Sequence, residues 1–211
     1  MFRSVLMLAA ALSLSASAAE PAPAPATAEK RFVFNDPNSR DTVMFVLDAP
    51  LEVINGLSNQ VRGQVEVKGQ KASGRFQVPV SSIKTGNETR DGHLQNDRWL
   101  DAAKFPAIVF EFKDVALPAP LANAKPVVVK TKGTFSIHGV TREEPVEVTA
   151  TYLQETAETK NRAAGELLRV RAKFQIPLEA YGIQRTEALL LKVGEKAEVT
   201  VDAWGSTQFK P

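Results

Sequence analysis

Three residues whose side chains can do chemistry lie close together on one short segment of the chain. Arg90, Asp91 and His93 occur within residues 85–112, a polar stretch wedged between two strand-like runs. An aspartate can orient a histidine for proton transfer, so the set could act as a general acid and base. Arg90 could instead bind an anionic headgroup through its forked donors. The third interpretation, which we favour, is that the set ties a short helix to the rest of the fold by hydrogen bonds.

Other reactive residues are scarce. The two histidines, His93 and His138, are far apart in the sequence, and the chain has no cysteine. A zinc site needs three or four ligands, so we expect neither a metal nor another cofactor. There is no G-x-S-x-G motif and no glycine-rich phosphate loop, and we therefore expect that the protein is not an enzyme. His138 precedes Gly139 at a predicted hairpin turn, where it is expected to stabilise the rim.

The first nineteen residues have the pattern of a signal peptide. Arg3 is followed by an apolar run at residues 5–14 and by an A-x-A cleavage signal at residues 16–18. This predicts cleavage near Ala18 or Ala19 and export to the periplasm, with an uncleaved anchor as the alternative. Residues 20–29 are rich in proline and alanine and predict an extended tether.

One domain is predicted over residues 30–211. Its length suits a single β-rich domain that is large enough to enclose a cavity. The formal net charge of the chain is +2, without a basic block. Nucleic-acid binding is therefore disfavoured, because such proteins carry a positively charged stripe.

Alternation of apolar and polar residues dominates this domain. In residues 168–176, for example, Leu168, Val170 and Phe174 alternate with charged or polar residues, which is typical of a strand with one buried face. Similar runs lie at residues 31–34, 42–47, 51–54, 61–68, 74–80, 107–113, 127–138, 146–152 and 197–203. Nine or ten such strands favour an antiparallel sandwich or a closed barrel.

Helical signals are confined to one connection. Asn87 is placed to cap a short helix that runs through Leu94 to Asp97, and Asp101 to cap a second helix over residues 102–105, ended by Pro106. Near the C-terminus, the apolar run within residues 186–191 is too short to distinguish a helix from a strand.

Three blocks of sequence resemble the YceI-like family of exported lipid-binding proteins. They are TGNETRDGHLQNDRWLDAAKFPAIVFEF at residues 85–112, GTFSIHGVTREEPVEV at residues 133–148 and FQIPLEAYGIQR at residues 174–185. The first block is long and specific, whereas the other two are short. Residues 43–67 depart from the family pattern, because they lack its usual His-Leu-Gly sequence.

The resemblance implies an all-β fold: an eight-stranded antiparallel, lipocalin-like barrel with a short helical segment over one end. It also implies an apolar interior that holds a polyisoprenoid or a similar lipid. A barrel of eight strands permits either a filled core or a cavity. For an arbitrary barrel we would interpret the inward apolar side chains as a filled core, and the resemblance changes this interpretation to a lined cavity. Trp99 and Phe105 are the candidates for a lid over the barrel end.

The first hypothesis is therefore a periplasmic binding or carrier protein, a monomer or dimer that contacts the membrane transiently. The alternatives are an enzyme acting on an isoprenoid or lipid, with Asp91 and His93 as acid–base residues, and an envelope or stress-response protein whose barrel has lost its ligand. The candidate ligand-binding residues are Phe45, Phe76, Arg90, Asp91, His93, Trp99, Phe105, Phe110, Phe135, His138, Phe174 and Tyr181.

Overall fold

A computed structural model describes residues 29–211 of the chain. The predicted signal peptide and all of the tether except Glu29 lie outside the described residues. The described chain is mostly β-strand. The strands are β1 Lys30–Phe34, β2 Thr42–Asp48, β3 Val53–Ser58, β4 Arg62–Lys68, β5 Lys71–Pro79, β6 Ala107–Ala116, β7 Pro126–Ile137, β8 Val140–Leu153, β9 Leu167–Pro177 and β10 Lys196–Ser206.

The helices are short. They are α1 Glu88–Gln95, α2 Ala157–Lys160 and three 3₁₀ helices, Val80–Ser82, Glu179–Tyr181 and Glu187–Leu189. The run at residues 186–191, whose type the sequence left open, therefore contains a 3₁₀ helix. Within residues 29–211, none of the helices has the length and apolar character needed to cross a membrane.

All ten strands belong to one antiparallel sheet that closes on itself. Strand β10 pairs with β9 on one side and with both β1 and β2 on the other. Strands β1 and β2 pair in turn with β4 and β3. Strands β1 and β2 lie end to end beside β10, and together they fill the place of one strand in the barrel wall. Strands β3 and β4 do the same beside them, so the ten strands make an eight-stranded barrel. This confirms the predicted eight-stranded antiparallel barrel.

One end of the barrel, here called the upper end, carries the connections β2–β3, β5–β6, β7–β8 and β9–β10. Helix α1 belongs to the β5–β6 connection, as predicted, and Asn87 caps it by accepting a hydrogen bond from the Arg90 backbone N–H (3.1 Å). The tight β7–β8 turn consists of His138 and Gly139, both with positive φ (51° and 77°), as a two-residue hairpin turn of the primed type requires.

Two sequence predictions about local structure were wrong. Residues 102–105 form a single turn rather than a second helix. The Lys104 and Phe105 N–H groups both donate to the Asp101 backbone carbonyl, and Pro106 prevents the turn from continuing. The strand expected at residues 51–54 begins at Val53 and continues to Ser58, because Leu51 and Glu52 are taken up by the β2–β3 turn.

Strand β6 contains a β-bulge. Ala72 pairs with Val115 and Gly74 with Phe112, so that Lys113 and Asp114 together face Ser73. Asp114 has a positive φ of 52°, and its backbone N–H donates to the Ser73 Oγ at 2.9 Å. A bulge bends its strand and increases the local twist. The lower part of β6 is therefore turned relative to its upper part.

Candidate functional site: an apolar cavity inside the barrel

The interior of the barrel contains a cavity of about 270 Å³. It extends from Leu94 of α1 at the upper end to Leu117 at the lower end, and its walls are almost entirely apolar. An apolar cavity of roughly 150 Å³ can stay dry and hold a benzene molecule. The barrel therefore has room for an apolar group larger than benzene. Its interior is a lined cavity rather than a filled core.

A row of phenylalanine rings crosses the middle of this cavity. Phe110 and Phe135 are in closest contact, with ring centroids 4.5 Å apart, and Phe174 lies 5.2 Å beyond Phe135. On the other side, Phe112 lies 5.9 Å from Phe110, and Phe76 lies 6.4 Å from Phe112. Phe110 and Phe112 lie on the same face of β6, two residues apart. Neighbouring strands bring the other rings beside them, because inward-facing residues at the same height of a barrel become neighbours.

The glycines of the wall make space for these rings. A Cβ atom at Gly133 would lie 2.3 Å from the Phe110 ring, and one at Gly56 would lie 2.1 Å from the Phe45 ring. Each ring thus occupies the space next to a glycine, where any larger residue would displace it. The phenylalanine–glycine pairs let these rings fit against the barrel wall.

Of the twelve candidate residues, six line the cavity: Phe45, Phe76, Trp99, Phe110, Phe135 and Phe174. Trp99 lies at the upper end together with Leu94 and Leu100, so this part of the β5–β6 connection closes the cavity from above. Phe105, the other lid candidate, packs instead against the β7–β8 turn, edge-on to His138 with centroids 6.1 Å apart. The contact of any of these residues with a ligand stays a prediction.

The polar candidates on α1 lie at the upper rim, where protein groups already bind them. The Asp91 carboxylate accepts hydrogen bonds from the Thr85 backbone N–H (2.8 Å) and hydroxyl (2.7 Å), with the Lys84 ammonium 3.7 Å away. These hydrogen bonds hold the pKa of Asp91 below its ordinary value. Arg90 forms an ion pair with Glu52 at 3.1 Å. Both contacts join α1 to neighbouring segments of the rim.

His93 does not complete an acid–base pair with Asp91. Its side chain is exposed, and the Asp91 carboxylate is directed at Thr85. A proton-relay arrangement needs the carboxylate and the imidazole within hydrogen-bond reach. The geometry therefore favours the third interpretation of the sequence, in which polar contacts tie the short helix to the rest of the fold.

His138 joins three parts of the upper rim. Its Nδ1 lies 3.3 Å from the Tyr181 backbone carbonyl, and its Nε2 lies 3.2 Å from the Asp97 backbone carbonyl. The tautomer of the ring decides which of the two carbonyls accepts a hydrogen bond from it. The β7–β8 turn thereby lies against both the segment after α1 and the segment after β9. Tyr181 itself is fully buried beneath this junction, and burial raises the pKa of its hydroxyl to about 12. Neither residue lines the cavity.

The sequence analysis missed the residues that close the cavity at its lower end. Leu117 and Leu121 line the cavity from the β6–β7 connection, whose sequence LPAPLANAK resembles an ordinary exposed loop. The two leucines, four positions apart among prolines and alanines, were the only available signal. Within residues 29–211, no group of three or more His, Asp or Glu side chains is arranged to hold a metal ion.

Comparison with known families identifies one match. The model of the YceI-like domain matches residues 36–204, which is well over half of the chain. No protein of curated function matches the sequence.

Solved structures show the same architecture at low sequence identity. A polyisoprenoid binding domain from Saccharophagus degradans, implicated in plant cell wall breakdown, is 15% identical with a TM-score of 0.66, covering 84% of this chain and 98% of that one. BcnA of Burkholderia cenocepacia is 17% identical with a TM-score of 0.60, covering 79% and 96%. The YCEI protein of Campylobacter jejuni is 17% identical with a TM-score of 0.57, covering 72% and 83%. At these identities the likeness establishes the fold.

Proposed function

Because the chain belongs to the YceI-like family, we propose that it binds a long apolar ligand, a polyisoprenoid, inside its barrel without transforming it. The observation that carries this proposal is the cavity of about 270 Å³ with almost entirely apolar walls. The polyisoprenoid binding named for the Saccharophagus degradans domain supports the choice of ligand class. The signal-peptide pattern of residues 1–19 supports a periplasmic location.

The energetics of such a ligand favour exchange with a membrane. An isoprenoid chain leaves one apolar environment for another, so its hydrophobic transfer from bilayer to cavity is nearly neutral. Binding then depends on how well the cavity wall fits the chain. The row of phenylalanine rings offers flat surfaces to the branched, unsaturated units of an isoprenoid.

A catalytic role receives little support from the rim. The Asp91 carboxylate, which with His93 forms the acid–base set of the alternative enzyme hypothesis, is bound by Thr85, and its lowered pKa makes it a weak base. His93 is exposed and lies outside the cavity lining.

The experiment begins with the protein purified from its own periplasm. Native mass spectrometry followed by organic extraction should reveal a co-purifying isoprenoid, and the mass of the polypeptide should show cleavage near Ala18 or Ala19. Recovery of the lipid unchanged after incubation supports a carrier. Reproducible absence of any lipid, together with no binding of added geranylgeraniol, would contradict the proposal.

A matched pair of variants tests the location of the ligand. Ala172 lines the cavity, and its neighbour Lys173 points outward from the same strand. Ala172→Phe should fill part of the cavity and weaken geranylgeraniol binding about tenfold or more, whereas Lys173→Phe should leave it within about twofold. Binding is followed through the fluorescence of Trp99 in a Trp204→Phe background, since Trp204 lies outside the cavity lining.

A further inference from the structure

The exposed apolar side chains of the barrel are gathered on one side of it. Within residues 29–211, seven large hydrophobic residues are 40–68% exposed. One of them, Val128, lies alone on β7. The other six belong to the β2–β3 hairpin and to the β9–β10 connection beside it. We call these six the outer apolar patch: Met44, Leu51, Val53, Leu57, Leu190 and Leu191.

Strand pairing and a contact between two turns join the six residues into one surface. Met44 pairs with Leu57 across the hairpin, and both side chains are exposed on its outer face. Val53 lies on the same face of β3 as Leu57. At the tip of the hairpin, the Leu51 backbone N–H donates to the Leu191 backbone carbonyl (2.9 Å). The patch therefore runs from the outer wall to the upper end of the barrel.

The alternation that builds the barrel does not account for these residues. On β9 and β10, exposed positions carry charged or polar residues such as Lys173, Gln175 and Glu198. On β3, by contrast, the exposed positions include Val53 and Leu57. No residue of the patch belongs to the core clusters or to the cavity wall. A contiguous exposed apolar patch marks a surface that contacts another molecule or a membrane.

The patch lies close to the upper end of the cavity. In the β9–β10 connection, Leu190 and Leu191 are exposed, whereas Leu189 and Val193 pack into the core cluster that contains Leu47. Leu47 also lines the cavity. The connection is thus apolar on both sides, one directed to the interior of the barrel and the other to its surroundings.

Charged residues of both signs border the patch from every adjoining element. They are Asp48 of β2, Glu52 of the hairpin turn, Lys84 and Arg90 beside β3, Glu187, Lys192 and Glu195 of the β9–β10 connection, and Lys196 and Glu198 of β10. Neither sign predominates. The border therefore does not select a strongly charged partner, and the apolar side chains themselves must supply the attraction.

We propose that the outer apolar patch docks the protein on the surface of a lipid bilayer, with the upper end of the barrel beside it. This rests on the proposed function. An isoprenoid chain that crosses water loses its apolar surroundings on the way, so a carrier exchanges it best in contact with the bilayer.

The size of the patch also favours a bilayer over a protein partner. A stable protein–protein interface uses about 20–30 residues on each side, whereas this patch offers six apolar residues within a charged border. Apolar side chains that enter the boundary between headgroups and acyl chains bind reversibly, with a strength that follows the apolar area they bury.

Flotation with vesicles tests the docking surface. The protein is mixed with vesicles of phosphatidylcholine, alone or with added phosphatidylglycerol. Leu191→Ser should weaken vesicle binding about fivefold, and Leu51→Ser/Leu191→Ser about tenfold or more. The control is Val128→Ser, which removes a similarly exposed residue from the opposite wall and should stay within about twofold. Phosphatidylglycerol should change the binding less than about threefold, because the border has no predominant charge.

A unique thiol locates the contact directly. Because the chain has no cysteine, Asn55→Cys introduces a single reactive group within the patch without removing an apolar residue. Lys130→Cys introduces one on the outer face of β7. A nitrobenzoxadiazole dye at position 55 should shift its emission to shorter wavelength when vesicles are added, and the same dye at position 130 should not. No shift at position 55, or equal shifts at both positions, would overturn the docking surface.

Two further measurements separate the alternatives. Light scattering tests a second copy as the partner: a wild-type dimer that Leu191→Ser dissociates, without vesicle binding, would make the patch a dimer interface and overturn the proposal. Geranylgeraniol is then supplied either from vesicles or as a cyclodextrin complex. Leu51→Ser/Leu191→Ser should bind the complexed alcohol like the wild type but take it up from vesicles about fivefold more slowly.

The outcomes distinguish this inference from the proposed function. Equal uptake from vesicles by the wild type and the double variant would overturn the docking role, while binding of the complexed alcohol upheld the carrier. If the wild type binds geranylgeraniol from neither source, the proposed function fails, and the delivery role of the patch fails with it.

Discussion

The interior of the barrel and its upper rim are held together by opposite kinds of contact. Inside, Phe110, Phe135 and Phe174 touch through ring faces and edges at 4.5–5.2 Å. At the rim, Asp91 accepts a hydrogen bond from the Thr85 backbone N–H, and the His138 ring nitrogens lie 3.2–3.3 Å from the Asp97 and Tyr181 backbone carbonyls. Ring contacts tolerate a gap beside them, whereas a buried hydrogen-bonding group needs its partner. This difference lets the interior keep a cavity beneath a rim of fixed shape.

The largest effect should follow from placing a charge in the interior. Phe174→Asp leaves a carboxylate without a partner in an apolar cavity, and it should lower the free energy of unfolding by about 3–5 kcal/mol or prevent folding. Gln175→Asp makes the same charge on the exposed face of the same strand and should cost less than about 1 kcal/mol. Urea denaturation measures both. Equal costs would mean that the interior is wet.

A buried carboxylate in the wall provides a second comparison. Asp41 is 1% exposed, and its Oδ1 accepts a hydrogen bond from the Trp204 backbone N–H (2.9 Å). Burial raises the pKa of Asp41 to about 6. Since this folded-state pKa lies above the unfolded one, its contribution to stability is complete below about pH 4 and is lost as pH rises through about 6.

The size of this effect is roughly 3 kcal/mol for two pKa units. Relative to Asp41→Asn, the wild type should therefore lose stability by about this amount between pH 4 and pH 7.5, measured by urea denaturation. Asp36 is the control of opposite sign. Although burial alone would raise it, the pKa of Asp36 is lowered by the Arg40 hydrogen bonds, so its contribution is lost as pH falls. A parallel pH profile for Asp41→Asn and the wild type would contradict the assignment.

A smaller effect should arise at the rim. Gly139 has a φ of 77°, and a Cβ atom there would lie 2.4 Å from the Phe105 ring. Gly139→Ala should cost about 1–3 kcal/mol, through backbone strain and displacement of Phe105. Gly92, on α1, has open space around it, and Gly92→Ala should instead stabilise the protein by up to about 1 kcal/mol. Thermal unfolding of both variants measures the difference. Stabilisation by Gly139→Ala would show that the turn is not constrained.

The smallest effect is expected at His93. Its side chain is exposed at the last turn of α1, so His93→Ala should change the free energy of unfolding by no more than about 0.5 kcal/mol. Incubation of wild type and variant with geranylgeranyl diphosphate should give no product in either case. Product from the wild type but not from a folded variant would restore the enzyme hypothesis, because a general base contributes about 10²–10⁴-fold in rate.

Much of the fold could be predicted from the sequence because its signals are local. Alternation in residues 168–176 and 197–203 predicted β9 and β10, and Asn87 predicted the start of α1. The prediction failed at residues 102–105, where Pro106 limits the segment to one turn. It was incomplete at residues 51–54, where the β2–β3 turn takes two residues from the expected strand. The first outcome is still local, because Pro106 follows the segment directly. The second depended on the turn between two strands rather than on the local preference of the residues.

The candidate site was predictable in part for the same reason. Inward-facing aromatic residues such as Phe110 and Phe174 follow from strand alternation, and the structure places both on the cavity wall. Arg90 and Asp91 have the chemistry of a binding site. Thr85, the partner of Asp91, is only six residues away along the chain. Glu52, the partner of Arg90, lies in the β2–β3 turn, and its proximity to α1 follows only from the tertiary structure.

The sequence by itself determined the inward and outward faces of the strands, the helix at the upper end and, through residues 85–112, the family. These features depend on the order of side chains along a few residues. Only the tertiary structure decided that the interior stays partly empty and that the β6–β7 ladder ends at Glu111. The physical reason is that both depend on packing across strands: rings lie over Gly56 and Gly133, and the bulge at Lys113 and Asp114 exists only relative to Ser73 of the neighbouring strand.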